Sequence, residues 1–254
     1  MSRRAFVLKE LGLSPVWVRR HGSNVAGRVE AGSIAGVQAA AIDGAGLCAG
    51  SAATGDRVAR IHAMDWAQLK SSASACTACV LHQSRKQAVL GVGDEKAEWL
   101  FVGEGPGAEE DERGEPFVGQ AGKLLDNMLA AIALKRGSNV YIANVVKCRP
   151  PGNRTPEPAD ARACEPYLTR QIELIRPRLI VALGKVAAQN LLGLEATLAS
   201  LRGRVHQVRG TPLIVTYHPA YLLRNLVDKS KSWEDLCFAV ETMQALKQQQ
   251  AGPN

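Results

Sequence analysis

The stretch Trp99-Leu100-Phe101-Val102-Gly103-Glu104-Gly105-Pro106-Gly107 decides the fold, because a short apolar run ends abruptly in a glycine-rich loop. Such a run is typical of a strand buried on both faces, and similar runs lie at 140–143, 179–183 and 213–216. Between these runs, residues 120–134 and 159–175 carry apolar side chains at helical spacing. This alternation predicts an α/β fold, a three-layer α/β/α sandwich around a central, mainly parallel, four-stranded sheet.

Polar side chains directly follow three of the predicted strands. Glu104 lies in the loop after the first, Asn144 ends the second, and His218 follows the last. Ligands of parallel sheets bind beyond the carboxyl ends of the strands, so we expect one cleft to hold these three side chains. The glycine-rich loop alone is a weak signal, and it is not a Walker phosphate loop because no Gly-Lys-Ser/Thr follows it.

Four of the six cysteines flank the glycine-rich loop and form a candidate metal-binding set. Cys76 and Cys79 are a C-x2-C pair, whereas fifteen residues separate Cys148 from Cys164. Thiolates favour zinc or iron–sulfur clusters, and the wide second spacing favours a cluster that bridges separate segments over a structural zinc site. Spacing alone does not choose the metal. In the alternative interpretation, Cys148 and Cys164 are buried free thiols.

Composition indicates one globular domain with an appendage, in a reducing compartment. The 254 residues are 46% hydrophobic, with 31 basic and 24 acidic side chains and a formal net charge of +7. That balance suits a polyanionic partner, although many solvated surfaces have it. The start Met-Ser-Arg-Arg lacks an apolar signal core, and no stretch is long enough to cross a bilayer. We therefore expect a cytoplasmic protein without disulfides or a membrane partner.

The chain is predicted to divide near residue 70. Residues 4–20 carry enough apolar side chains for a short amphipathic helix that docks on another, unknown protein. An Ala/Gly/Ser-rich stretch from residue 22 to about 59 is predicted to be a flexible linker, and a helix is expected to begin near Asp65. The appendage is thus residues 1–70, and the main domain is residues 71–250.

Three motifs then appear in a recognisable order. They read GEGPG at 103–107 with PFVG at 116–119, NVVKCRPP at 144–151, and HPAYLLR at 218–224. Together they resemble the family 4, iron–sulfur, uracil-DNA glycosylases, and the resemblance runs from about Ala75 to Arg224. It implies a DNA repair enzyme that hydrolyses the N-glycosidic bond of uracil in DNA, releases free uracil and leaves an abasic site. It also implies that the four cysteines bind a 4Fe-4S cluster and that residues 71–250 are the catalytic domain.

The resemblance assigns a role to each polar residue of the expected cleft. His218 is the expected hydrogen-bond donor to uracil O2 while negative charge grows on the departing base. The Asn144 amide can pair with uracil O4 and N3–H, and it mismatches cytosine, which presents the opposite pattern. Phe117 is expected to stack on the flipped base, and backbone N–H groups near Gly105 to approach it closely.

The group that activates water is less clearly defined by sequence. Classical uracil-DNA glycosylases place an aspartate two residues after the first glycine of the first motif, where this chain, like other family 4 members, lacks it and has Gly105. Glu104 is therefore the first candidate, and Glu110 or Asp111 is the next. The alternative interpretation of the acidic run at 109–112 is an exposed, solvated surface.

Duplex DNA has to be opened before a base can enter such a cleft. The resemblance places Leu222, Leu223 and Arg224 in a loop that fills the gap left by the extruded base, because an apolar wedge with a nearby cation suits that task. Arg149 and Arg154, between two cluster ligands, are expected to contact phosphates, which would make the cluster a structural clamp. The expected partner is uracil-containing DNA, double- or single-stranded, bound by a monomer associated with the nucleoid.

Two rival functions remain at this stage. A related subgroup traps the abasic sugar with a histidine in a Lys-Arg-Arg-Ile-His insertion, but Cys148 directly follows Lys147 here, so turnover is expected. The other rival is a non-catalytic or uracil-trapping iron–sulfur DNA-binding accessory protein, whose working parts would be the N-terminal peptide and linker.

Overall fold

The structure is a computed structural model that describes residues 50–251. The amphipathic segment predicted for residues 4–20 and most of the predicted linker lie outside the described residues. The last part of that predicted linker is helical, because the first described helix already begins at Gly50. The predicted division into residues 1–70 and 71–250 stays a prediction.

The described residues form one six-stranded sheet with the order β1-β3-β2-β4-β6-β5. Strand β2 pairs in parallel with β3 and β4, and β4 pairs in parallel with β6. The outer strands β1 and β5 are antiparallel to their neighbours. The strands are β1 (Val92–Gly93), β2 (Trp99–Gly103), β3 (Val140–Asn144), β4 (Leu179–Leu183), β5 (His206–Val208) and β6 (Thr211–Thr216).

The four predicted strands are the four parallel ones, so the predicted mainly parallel core is confirmed. The predicted number of four strands was wrong, because each edge adds a short strand of two or three residues. Neither edge strand has an apolar run, since an edge strand is less covered than a central one. All five positions of β2, β3 and β4 are buried, as expected for strands covered on both faces.

Helices cover both faces of the sheet and confirm the three-layer sandwich. On one face, Leu125 of α4 and Ala239 of α9 pack on Phe101. On the other face, Ile172 of α5 and Ala188 of α6 pack with the alternate side chains of the strands. The helices are α1 (Gly50–His62), α2 (Trp66–Ser74), α3 (Ala108–Arg113), α4 (Gln120–Ala131), α5 (Pro158–Ile175), α6 (Lys185–Leu192), α7 (Leu198–Leu201), α8 (Pro219–Arg224) and α9 (Lys229–Ala251), with short 3-10 helices at Val80–Gln83, Pro151–Asn153 and Leu226–Asp228.

The helix predicted to begin near Asp65 is α2. The Asp65 side chain accepts a hydrogen bond from the Gln68 backbone, and the Gln68 side chain accepts one from the Asp65 backbone, so the two form a capping box. Ile61 of α1 and Leu69 of α2 are buried against Tyr167 of α5. Within the described part of the chain, no helix is long and apolar enough to cross a membrane.

Candidate active site

A cavity of about 490 Å³ lies at the carboxyl ends of the parallel strands. It brings together the three polar residues that the sequence places after the strands, Glu104, Asn144 and His218. Arg149, Leu222 and Leu223 are not among its lining residues. The other sequence-predicted site residues in its wall are Gly105, Glu110, Phe117, Arg154 and Arg224.

Asn144 lies at the end of β3 with only 1% of its surface exposed. Its side-chain oxygen Oδ1 is buried and has no hydrogen-bond partner among the described residues. Buried polar atoms in proteins are nearly always paired, so this oxygen requires a donor from a bound molecule or solvent. Asn144 is also one of the residues that line the cavity.

Gly103 makes room for this arrangement, because it pairs with Asn144 across the two parallel strands. A Cβ atom at Gly103 would lie 2.5 Å from Asn144 Oδ1 and 2.5 Å from the Phe117 ring. Any side chain at this position would therefore displace both groups from the cavity wall.

Phe117 is held in a backbone conformation that is rare for a side-chain-bearing residue, with φ of 56°. Arg136 donates to its carbonyl oxygen at 2.8 Å, and a Cβ atom at Gly122 would lie 1.8 Å from that same oxygen. The ring centroid lies 5.5 Å from that of His218, with the planes tilted by 32°. A strained residue fixed this firmly suggests a functional position for the ring.

Glu110 organises the loops around the cavity. One carboxylate oxygen accepts from the backbone N–H groups of Val118 at 2.9 Å and Gly119 at 3.1 Å. The other accepts from the Gly107 N–H at 3.1 Å. Because both oxygens are already engaged by backbone donors, this geometry suits Glu110 better to positioning the loops than to abstracting a proton.

Asp111 faces away from the cavity. Its side chain is buried and accepts from the Lys86 backbone N–H at 2.9 Å, so it anchors the segment before β1. The interpretation of residues 109–112 as an exposed acidic surface thus holds for Glu109 and Glu112 but not for the two residues between them.

Glu104 is the carboxylate that the structure leaves available. It is half-buried in the cavity wall, and burial raises the pKa of its carboxyl group, while a hydrogen bond from Thr155 acts in the opposite direction. Its main chain is fixed, because the Glu104 carbonyl accepts from the Val146 N–H at 3.1 Å. A carboxylate with a raised pKa on a rigid loop can accept a proton from water.

The proton on His218 is directed by its own helix. Its Nδ1 accepts from the Ala220 backbone N–H at 3.2 Å, so a neutral ring carries its proton on Nε2. Burial lowers the pKa of His218 to about 4; Arg224 contributes in the same direction, and Glu110 opposes it. Gly184 packs closely on His218, since a Cβ atom there would be 2.9 Å from His218 Cβ. The site therefore holds a neutral imidazole that donates from Nε2.

The predicted wedge requires a correction at Leu222. This side chain is 1% exposed and packs in a core cluster with Met128, Tyr217 and Leu236, so it is not available to DNA. Leu223, the next residue of the short helix α8, is 42% exposed. The sequence could not separate the two neighbours, because both are leucines and a six-residue helix contains too few turns to define an apolar face.

Sequence reasoning also missed the exposed apolar residues that follow α8. Leu226 and Val227 are exposed, the latter at 86%, in the 3-10 helix Leu226–Asp228. Two adjacent apolar residues beyond Arg224 were the available signal.

The two predicted phosphate-binding arginines differ in their surroundings. Arg154 reaches the cavity and donates to Asp160 at 3.1 Å. Arg149 donates to the Asn153 side chain at 2.7 Å and lies outside the cavity. Each guanidinium is thus held by a neighbouring side chain, and its contact with DNA remains a prediction.

The four cysteines of the candidate metal set come from three segments of the chain. Cys76 follows α2, Cys79 precedes the 3-10 helix Val80–Gln83, Cys148 lies in the loop after β3, and Cys164 lies within α5. None of the described cysteines forms a disulfide. Cys148 interacts electrostatically with Cys79 and Cys76, and Cys164 with Cys148 and Cys79, so the four thiols lie close together.

Donors surround these sulfur atoms. Arg85 donates to Cys148 Sγ at 2.9 Å, the Lys147 N–H to Cys164 Sγ at 3.2 Å, and Arg57 to Cys76 Sγ at 3.6 Å. Such donors stabilise thiolate charge, which isolated buried thiols do not require.

The donor set fits a thiolate-bound cluster, because four thiols lie together with N–H donors beside their sulfur atoms. Across residues 50–251, no group of three or more His, Cys, Asp or Glu side chains is arranged to hold one metal ion. The thiolates of a cluster need not converge on one point, because each binds a different iron. The alternative interpretation treats Cys148 and Cys164 as isolated buried thiols. It does not explain why the half-buried Cys76 and Cys79 lie close to them.

Comparison with known proteins identifies the family. The model of the Uracil DNA glycosylase superfamily matches residues 90–237, which is more than half of the chain. The chain belongs to this superfamily. The matched residues include all six strands of the sheet as well as Asn144, His218 and two of the four candidate ligands, Cys148 and Cys164.

Relatives within the superfamily agree with the sequence motifs. The chain is 52% identical over 156 residues to a Type-4 uracil-DNA glycosylase of Archaeoglobus fulgidus, covering 58% of this chain and 78% of that protein. It is 44% identical over 183 residues to a Type-4 uracil-DNA glycosylase of Pyrobaculum aerophilum, covering 69% and 93%. A Type-5 uracil-DNA glycosylase of Pyrobaculum aerophilum is 34% identical over 148 residues, covering 51% and 64%. The resemblance to family 4 is confirmed.

We predict that His218 protonates only at unusually low pH. Nuclear magnetic resonance of the imidazole signals, assigned with a His218→Gln variant, should give a midpoint near pH 4, below the ordinary value of about 6.5. The unfolded chain takes up this proton between those values and the folded chain does not, so the stability that His218 contributes should fall as the pH drops through that window. A midpoint near the ordinary value would contradict the buried, neutral ring.

Proposed function

We propose that this chain is a uracil-DNA glycosylase that hydrolyses the N-glycosidic bond of uracil in DNA, releasing free uracil and leaving an abasic site. The observation that carries the proposal is the unpaired Oδ1 of Asn144, which lies in the same cavity as His218 and Phe117. The Type-4 uracil-DNA glycosylases among its relatives support the same activity.

Recognition of uracil would rest on Asn144. Its unpaired Oδ1 would accept the N3–H of uracil, and its amide NH₂ would donate to O4. Cytosine presents an acceptor at N3 and an amino group at the neighbouring carbon, so both contacts would be lost and a buried polar atom left unpaired. Phe117 would stack on the flipped base, and the Gly105 backbone would approach it closely.

Bond cleavage would rest on His218. As the glycosidic bond breaks, negative charge grows on the departing uracil, and a donor fixed in advance stabilises that charge more than it stabilises the substrate. The Nε2–H of the neutral ring would donate to uracil O2. Since the pKa of His218 is lowered to about 4, the ring would act through a hydrogen bond rather than by delivering a proton.

Glu104 would position the attacking water. It lines the cavity, and its carboxylate is not engaged by several backbone donors as that of Glu110 is. A carboxylate facing the sugar would also stabilise the positive charge that develops there. Glu110 would instead hold the loops on which Gly107 and Phe117 are carried.

Cys76, Cys79, Cys148 and Cys164 would hold a 4Fe-4S cluster. The surrounding donors and the grouping of the four thiols fit it, as argued above. When bound, the cluster would supply structural cross-linking of three chain segments rather than a reacting group. Arg149 and Arg154 lie between two of its ligands, so the cluster would hold a loop that contacts DNA phosphates.

The partner would be uracil-containing DNA, double- or single-stranded. Arg149, Arg154 and Arg224 would contact phosphates, and Leu223 would fill the gap left by the flipped base. We expect a monomer in the cytoplasm, associated with the nucleoid, and we expect the N-terminal segment to dock on another protein.

We predict that His218→Ala lowers the rate of uracil excision by about 10²–10³-fold, because one donor to the developing anion is lost. Asn144→Ala should also lower the rate sharply, and both variants should keep the brown cluster colour. The assay incubates the protein with a uracil-containing oligonucleotide and then cleaves abasic sites with alkali.

The matched control is His206→Ala. His206 lies on the edge strand β5, away from the cavity, and its ring forms a hydrogen bond with the Leu201 carbonyl oxygen. It should excise uracil normally. Retention of the oligonucleotide without cleavage by the parent protein would favour a binding protein, and near-normal rates in both cavity variants would refute the assigned roles.

We predict that the purified protein carries about four irons per chain, as a 4Fe-4S cluster requires. Cys148→Ala should lose most of the iron and the visible absorbance, because one corner of the cluster loses its ligand. Cys237→Ala, in α9, should keep both. Iron content and absorbance are measured on anaerobically purified protein, and a colourless, iron-free, fully active parent would exclude the cluster.

We predict that Leu223→Ala lowers excision from duplex DNA by about tenfold and leaves excision from single strands nearly unchanged. Only a duplex has a stacked gap to fill once the base leaves, and unstacking costs a few kcal/mol. Leu194→Ala is the matched control, since Leu194 is exposed to a similar extent, 41% against 42%. Equal losses on both substrates would argue against a wedge.

A further inference from the structure

We propose that Lys147 is a positioning residue for uracil recognition. Its side chain fixes the Asn144 main chain, and its backbone connects that main chain to Cys148 and Cys164 of the cluster site. The inference rests on the proposed function, because it assumes that Asn144 reads uracil. It predicts that Lys147 governs uracil-specific binding and that it does so through Asn144.

Lys147 lies fully inside the protein, with 2% of its surface exposed. Its ammonium group donates to the Asn144 carbonyl oxygen at 2.7 Å and to the Gln171 side-chain oxygen at 2.6 Å. A buried lysine is costly unless it is well bonded, so these contacts define where the ammonium group lies.

Gln171 is itself held in place from two sides. It is fully buried, and its amide donates to the Leu90 carbonyl at 3.0 Å and to the Tyr141 hydroxyl at 3.2 Å. Its oxygen is therefore aimed at Lys147 by contacts with the segment before β1 and with β3. The ammonium group has a rigid acceptor on one side and the Asn144 peptide on the other.

The cysteines of the cluster site surround the same lysine. The Lys147 backbone N–H donates to Cys164 Sγ at 3.2 Å, and Cys148 is the next residue in the chain. Two thiolates would supply the negative charge that a buried ammonium group needs nearby. Lys147 would then link the cluster site, through its backbone N–H, to the carbonyl of the base-reading residue, through its ammonium group.

This contact matters because it restrains the main chain at Asn144. A hydrogen bond to its carbonyl oxygen fixes the peptide plane between Asn144 and Val145, and with it the direction in which the Asn144 side chain leaves the strand. The side-chain oxygen is unpaired within the described residues, so no side-chain contact to that atom fixes the amide before uracil arrives. The Asn144 amide is therefore positioned through its main chain, which Lys147 holds.

The test is a double-mutant cycle with Lys147→Met and Asn144→Ala. The probe is a duplex with one 2′-fluoro-2′-deoxyuridine, whose glycosidic bond resists hydrolysis, compared with the same duplex carrying thymidine. The ratio of the two dissociation constants measures uracil-specific binding. Lys147→Met should reduce that ratio by about tenfold in the parent and by less than about twofold in the Asn144→Ala background.

Lys96→Met is the matched control, because Lys96 is exposed at the amino end of β2, away from the cavity. It should leave the ratio unchanged. Iron content and thermal unfolding are measured on every variant. Should Lys147→Met fail to fold or to hold iron, Gln171→Leu replaces it as the test. This variant keeps the lysine but removes one of the two acceptors of its ammonium group. It should lower the ratio by about threefold, again only when Asn144 is present.

Equal losses in both backgrounds would overturn the inference, because they would mean that Lys147 acts independently of Asn144. An unchanged ratio in folded, iron-bearing Lys147→Met would also overturn it. A parent protein that neither excises uracil nor prefers the fluorinated deoxyuridine would overturn the proposed function and this inference with it. Normal excision by the parent with a neutral Lys147→Met would overturn the inference alone.

Discussion

The parallel pairing of β2 with β3 is the constraint on which the cavity depends. It sets Gly103 beside Asn144 at the carboxyl edge of the sheet. Because Gly103 has no side chain, the Asn144 amide and the Phe117 ring occupy the space where a Cβ atom would lie. Gly103 and Asn144 come from distant parts of the sequence, and hydrogen bonds between the two strands fix their relative positions to within a residue. A shift of either strand by one residue would turn Asn144 to the other face and remove its amide from the cavity.

Around that edge, charged side chains fix loops more often than they face the cavity. Glu110 accepts from three backbone N–H groups, and Arg136 donates to the carbonyls of Pro116 and Phe117. These contacts hold Phe117 at a positive φ that it would otherwise avoid. A loop that is rigid before binding loses less entropy when a base enters, so charge inside the protein contributes to recognition without touching the ligand.

Sequence was informative where geometry follows from chain order. The four apolar runs became the four parallel strands, and the polar residues that follow three of them met in one cavity, because parallel strands end at the same edge. It was less informative where the result depends on packing. Leu222 and Leu223 are identical in type, and only the contacts of Leu222 with Met128 and Leu236 separate core from surface. Likewise, the acidic run at 109–112 contains Glu110, which anchors the cavity loops, and Asp111, which is buried. Only their backbone hydrogen-bond partners distinguish them from the exposed Glu109 and Glu112. The edge strands escaped notice because they are too short to show a pattern.

The electrostatics of His218 explain why so much of the fold is devoted to its position. Burial and the nearby Arg224 lower its pKa to about 4, so the ring stays neutral when it meets a departing anion. A neutral donor gives a weaker hydrogen bond than a charged one, and its contribution depends strongly on distance and angle. The Ala220 N–H directs the proton to Nε2, and Gly184 lets the backbone between β4 and α6 lie close to His218 Cβ. In the proposed role of this residue, its contribution to catalysis would come from orientation, which the scaffold supplies before the substrate binds.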